Sequence, residues 1–406
     1  MSPADLERLR AVTTADVWKR RRRAARLRRE GGAVEFAYLP EYVEAGGPAV
    51  ASTLPVVPGV VRTSAGAVPP FFAGLLPEGR RLSNLRRTVK TSADDELSLL
   101  LAVGADTVGD VQVVPEGRPP VPPVPLVEVR GAWNEQRFAA LLAQAGIVDP
   151  VAIPGAQDKV SAAVLSLPVA RAHERHLLKL DPPEYRHLVA NEAYFLRRAR
   201  EAGLAVVDAE VVHDADGRAG LLVRRFDRVR GPDGGVVSLA CEDACQVLGR
   251  WPADKYALTA EAAVTALAGR CAARAPALRT LFRQFVFAWL SGNGDLHAKN
   301  LSVLEGTDGE WRVAPAYDLP STVPYGDTSM AMTVHGRTTG LSRRHWLAFA
   351  DAIGLAGRAA VSSLDELLEK TSSLVDEVRE GALPFDANTT RRLATELRNR
   401  RRLASG

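Results

Sequence analysis

The sequence predicts an α+β protein, strand-rich in its first part and mainly helical in its last, with a proline-rich segment dividing the chain. Three observations carry this. Ala33–Leu39, Val160–Leu167, Arg175–Leu180 and Gly220–Phe226 show the alternation or short apolar runs of strands. From Glu242 onward most segments have helical periodicity. Between Val114 and Pro125 stand six prolines in twelve residues, which support neither a helix nor a central strand. At 406 residues the chain exceeds a single core, and the expected divisions are 1–125, 126–240 and 241–406.

Taken in order, the first element is ambiguous. Eight of the eleven residues from Lys19 to Arg29 are Lys or Arg. Ala and Arg favour helix by propensity, whereas a place before the Gly31-Gly32 turn favours the first arm of a hairpin. Ala33–Leu39 then alternates like a half-buried strand. Asp94–Val103 reads as a helix, with Thr91 or Ser92 as its cap. Beyond the prolines, Trp133–Ala145 reads as a helix. Leu188–Gly203 is helical, with Leu188, Ala193, Phe195, Leu196 and Ala199 apolar and Gly203 as the C-terminal stop.

Composition excludes several classes. With 46% hydrophobic and 25% charged residues the chain is an ordinary globular one. A net charge of +4 does not by itself imply nucleic acid. The basic crowding at Lys19–Arg29 and at Arg391, Arg392, Arg398, Arg400, Arg401 and Arg402 reads as solvated faces, with phosphate-backbone contact as the alternative. Cys241 and Cys245 lack a second pair, so all three cysteines are expected as reduced packing residues without zinc. No apolar run reaches the ~18 residues of a membrane span and the start lacks a signal core, so a cytoplasmic protein with no membrane partner is expected.

The chemistry concentrates at Gly292-Asn293-Gly294-Asp295-Leu296-His297-Ala298-Lys299-Asn300, directly after the apolar Phe285–Leu290. Four polar groups in six positions behind a buried helix are hard to assign to packing. An Asp, an Asn five positions on, and a second Asp, Asp318, eighteen beyond that, are what phosphoryl transfer from a nucleotide requires. Asp295 would take the proton of the attacking hydroxyl. Asn300 and Asp318 would hold magnesium. Lys299 would neutralise the transferring group, and His297 would support the loop. Upstream, Pro154-Gly155-Ala156-Gln157-Asp158-Lys159 is a small-residue turn whose N–H groups can approach phosphates, a weak signal alone. Lys179 stands in the apolar Leu177–Leu180 and reads either as a phosphate ligand, oriented by Glu192, or as an edge residue facing water. Arg224-Arg225-Phe226 ends a strand where adenine would meet backbone groups, with Phe226 against the base. Strands followed by helices with this loop among the helices suit a two-lobed protein-kinase-like fold.

These pieces resemble the HipA-type serine/threonine kinases, toxins of bacterial toxin–antitoxin modules. The resemblance rests on Phe71–Gly79, Gly155–Lys159, Leu178-Lys179, Arg225-Phe226-Asp227-Arg228, Glu242-Asp243 with Gln246 and Leu248-Gly249, Asp295–Asn300 and Ala316-Tyr317-Asp318, which occur in the family's order over roughly residues 10 to 375. It implies strands for the basic segment, an additional N-terminal subdomain, and ATP and Mg2+ as cofactors. It implies an ATP site of Pro154–Lys159, Lys179, Arg224–Phe226, His297, Lys299, Asn300, Tyr317 and Asp318, with Asp295 catalytic. Family members phosphorylate aminoacyl-tRNA synthetases and so arrest translation, and they pair with a helix-turn-helix antitoxin that binds DNA. Two departures stand out. The position of a regulatory serine whose phosphorylation silences the family's kinases is Ala152, and Arg224 replaces the hinge acid. A small-molecule kinase and a DNA-associated corepressor with a vestigial site are the competing expectations.

Overall fold

The computed structural model describes residues 3–120, 127–129, 131–144, 165–171, 174–232 and 234–406. Strands β1 (Thr14–Lys19), β2 (Arg22–Glu30), β3 (Ala33–Tyr38), β4 (Val61–Thr63) and β5 (Val111–Pro115) form an antiparallel sheet in the order β4-β3-β2-β1-β5. The basic segment is therefore strand. Its helix propensity loses because Ala24, Ala25 and Leu27 pack into a core with Phe36, Phe71, Phe72, Leu97 and Leu100. Its charges are largely paired: Lys19 Nζ donates to Asp110 Oδ1 at 2.7 Å, Arg29 lies 2.6 Å from Asp95, and Arg26 lies 3.3 Å from Asp16. Arg20 and Arg21 make the β1–β2 turn with φ of 48° and 65°, values that more often call for Gly or Asn. Pro115 is tolerated because it ends an edge strand. The expected helix Asp94–Val103 runs from Glu96 to Val103, and its cap is Asp95, which accepts from Ser98 N. Thr91 instead donates to Asp95 Oδ2 at 2.6 Å, and so braces the cap that was expected of Thr91 or Ser92.

The second sheet runs β6-β7-β8-β10-β9, from β6 (Val127–Glu128), β7 (Leu165–Arg171), β8 (Glu174–Leu180), β9 (Ala209–His213) and β10 (Ala219–Arg224). Only the last part of the expected strand Val160–Leu167 falls among the described residues, and there the strand continues to Arg171. One face packs Leu178, Leu180 and Leu222 on Phe138 and Leu141. The other places Leu221 and Val223 in a core with Val189 and Leu196 of the helix Leu188–Glu201, beyond which Gly203 takes φ 82°. The expected helix Trp133–Ala145 divides into a turn at Trp133–Glu135 and a helix Phe138–Gln144. The second start is fixed by Asp214, whose Oδ2 accepts from Phe138 N at 3.0 Å, a cap from another part of the chain.

Beyond residue 240 the helices gather around Arg274–Ser291, whose second half, from Gln284 onward, is buried all round, as a central helix must be. Phe285, Phe287 and Trp289 pack there with Trp346 and Phe349, each aromatic contributing about 1.5–3 kcal/mol by burial. The C-terminal helix Ala387–Ser405 lies against it. Arg400 belongs to that contact, not to a basic surface: it is 1% exposed, with its guanidinium over the Trp289 ring and donating to Trp289 O at 3.2 Å. Cys241, Cys245 and Cys271 are free and buried, and burial raises all three thiols. Among the described residues no helix is long and apolar enough to cross a membrane.

Candidate functional site

A cavity of about 310 Å³ lies where the second sheet, the segment after β4 and the helical body meet. Side chains alternate along β8, so with Leu178 and Leu180 inward on one face, Lys179 projects from the other into the cavity. The strand is internal, which rules out the solvent-facing edge alternative. Lys179 Nζ donates to Glu192 Oε1 at 2.7 Å and to Asp318 Oδ1 at 3.0 Å. Burial alone would lower the ammonium's pKa, but Asp318 and Glu192 outweigh it and hold it above its ordinary value. Burial raises the Glu192 carboxyl. Asp318 is kept low because Lys179 outweighs the same burial effect.

The loop carrying Asp295 begins where the central helix stops. Gly292 ends that helix at φ 71°, and Gly294 passes so close to its surroundings that a Cβ there would lie 2.4 Å from Ser329 O. Asp295 is 1% exposed. Its N–H donates to Asn293 Oδ1 at 2.8 Å, and the Tyr256 hydroxyl donates to its Oδ1 at 3.2 Å. Asn300 Nδ2 donates to Asp295 O at 2.9 Å and to Asp318 Oδ2 at 3.1 Å, so one amide ties both aspartates together. Asp318 itself has φ 55°, a left-handed backbone uncommon outside Gly and concentrated at functional sites. One carboxylate and one amide side by side fit a hard divalent cation that takes few protein oxygens and completes its shell with water and phosphate. Among the described residues no cluster of three or more His, Cys, Asp or Glu offers a self-sufficient metal site.

Lys179, Arg224, Arg225, Phe226, Lys299, Asn300, Tyr317 and Asp318 all line the cavity. Pro154–Lys159 and Ala152 lie outside the described residues. Besides Lys179, other lining cations are held by the protein. Lys299 Nζ donates to Asp243 Oδ2 at 3.0 Å and to Gly74 O at 2.9 Å, so its charge is held by the protein instead of free for a phosphoryl group. Arg225 is bound by Asp106 and Asp227 at 3.0 and 2.8 Å, and with Arg228 it holds the buried Asp227 carboxyl down at about 2 against the effect of burial. Phe226 lies against Tyr317, ring centroids 5.5 Å apart. His297 is buried beside Tyr256 and outside the cavity lining, with no hydrogen-bond partner for its Nδ1 among the described residues.

Sequence reasoning missed Tyr256, Glu78, Lys255 and Asp243. Lys255 Nζ donates to Glu78 Oε2 at 2.9 Å, fastening the Tyr256 segment to the part of the chain before β5. No spacing links these residues. The only signals were that Phe71–Gly79 and Glu242-Asp243 formed part of the resemblance.

Residues 15–114 match the HipA N-terminal domain and residues 151–375 the HipA-like C-terminal domain. "Putative kinase Y4mE" of Sinorhizobium fredii is 32% identical over 334 residues, covering 77% of this chain and 79% of that protein. "Serine/threonine-protein kinase toxin HipA" of Shewanella oneidensis is 26% identical over 352 residues, 78% of each. A solved Shewanella oneidensis HipA, in complex with HipB and operator DNA, superposes with a TM-score of 0.76 over 97% of both chains at 22% identity, which establishes a shared mixed α/β fold.

Proposed function

The chain belongs to the HipA family, and from that premise we propose that it is a two-lobed serine/threonine protein kinase that moves the ATP γ-phosphate to a protein hydroxyl and arrests growth. The observation that carries the reading is the joined set in which Lys179 bonds both Glu192 and Asp318, and Asn300 bonds both Asp318 and the main-chain oxygen of Asp295. In this reading adenine sits at the end of β10 against Phe226. The N–H groups of Arg224 and Arg225 already donate to Asp208 O and Arg175 O, while among the described residues no acceptor takes that of Phe226. Recognition through backbone makes the loss of the family's acid at Arg224 tolerable. Lys179, fully protonated at neutral pH, holds the phosphates and keeps Glu192 as its partner. Asp318 and Asn300 hold Mg2+, which neutralises phosphate charge when bound. Asp295 accepts the proton of the attacking hydroxyl, and the Tyr256 hydroxyl fixes the carboxylate's orientation.

The expected acceptor class is a translation component such as an aminoacyl-tRNA synthetase, and the expected partner is a helix-turn-helix antitoxin. The paired state of the arginines in β2 supports leaving DNA contact to that partner. The test is transfer of labelled phosphate from ATP with Mg2+ to a protein of the host lysate. Asp295→Ala should lower the rate by about 10³ or more. Equal labelling by both proteins would overturn the reading, and labelling of small molecules alone would favour a small-molecule kinase.

A further inference from the structure

We propose that Arg81 binds the phosphate chain of the nucleotide, a contact made from the N-terminal part of the chain across the cavity. Arg81 stands in the first turn of the helix Gly79–Val89 and lines the cavity together with Lys179 and Phe226. The other cations of the lining each have an anionic partner: Lys179 has Glu192 and Asp318, Lys299 has Asp243, Arg224 has Glu174, and Arg225 has Asp106 and Asp227. Among the described residues Arg81 has neither an ion pair nor a hydrogen bond. The nearest carboxylate that acts on it, Asp106, is already bonded by Arg225 and Arg228, at 3.0 and 2.9 Å.

The surroundings act against the charge. Burial, with the Arg225 guanidinium adding to it, pushes the Arg81 guanidinium down to about 10. A charge kept in such a place without a partner is relieved by an anion, and a planar guanidinium matches phosphate by two parallel hydrogen bonds. Arg225 and Asp106, which act on Arg81, line the same cavity, so Arg81 and Lys179 offer it cations from different parts of the chain.

The inference rests on the reading of the cavity as a nucleotide site, and the experiment separates the two. Calorimetric titration of the whole chain with adenosine, and with ADP in the presence of Mg2+, would be compared for wild type, Arg81→Gln and Arg81→Lys. Arg81→Gln should weaken ADP roughly ten- to a hundredfold, leave adenosine unchanged, and be partly rescued by Arg81→Lys. Unchanged ADP affinity would overturn the inference and would point to an acidic group of a protein substrate as the partner of Arg81. Adenosine weakening by the same factor as ADP would also overturn it, since the contact would then be with the nucleoside or act through the fold. Failure of wild type to bind ADP at all would remove the nucleotide reading itself.

Discussion

Burial, with Lys255 close by, pushes the His297 imidazole down to about 3, so the ring is neutral across the physiological range. Unfolding returns it to its ordinary value of 6.5. Protons therefore favour the unfolded chain. The contribution is fully present above pH 6.5 and is lost as the pH falls toward 3. Urea midpoints at pH 7 and pH 5 should differ by less in His297→Gln than in wild type; an equal or larger difference would contradict the buried neutral ring. At the sequence level the histidine was expected to support the loop, because Asp295 already filled the expected place of the base. Its exclusion from the cavity was not legible there, since that depends on Tyr256, which approaches from another part of the chain.

At the scale of elements, the loop between the central helix and the strand Ser302–Glu305 is shaped by contact. Gly294→Ala would drive a Cβ onto Ser329 O and Thr322 Oγ1, and backbone cannot rotate aside as a side chain can. The expected cost is about 1–3 kcal/mol of stability, read from urea unfolding, together with a fall in phosphate transfer as Asp295 shifts. A variant as stable and as active as wild type would show that the loop relaxes freely. Alternation made β3 and β8 readable because each buries one face, whereas β10, buried on both faces, read as a short apolar run. The strand β2 was ambiguous for the opposite reason: arginine side chains fit either element, and only the burial of Ala24, Ala25 and Leu27 decides. The helix Phe138–Gln144 could not be bounded locally because Asp214 supplies its cap.

Across the whole molecule, the turn after β10 is welded to the N-terminal part. Asp227 accepts from Arg225, Arg228 and Gly109 N, and the two arginines also reach Asp106 and Thr107 O. Asp227→Asn removes one charge from a buried set that then lacks compensation. It should cost about 3–5 kcal/mol in urea unfolding, where a surface pair would cost under about 1. A loss of that smaller size would mean the network is solvated. The sequence marked Arg225-Phe226-Asp227-Arg228 as a unit but gave no hint of what it grips, because its partners lie over a hundred residues upstream. The same distance has a consequence for biosynthesis. Lys299 finds its carbonyl partner at Gly74, 225 positions earlier, so the Asp295 loop closes only against a region that left the ribosome long before. A nascent chain carries the N-terminal sheet without the loop it will anchor. The finished site forms only after the loop itself has been made.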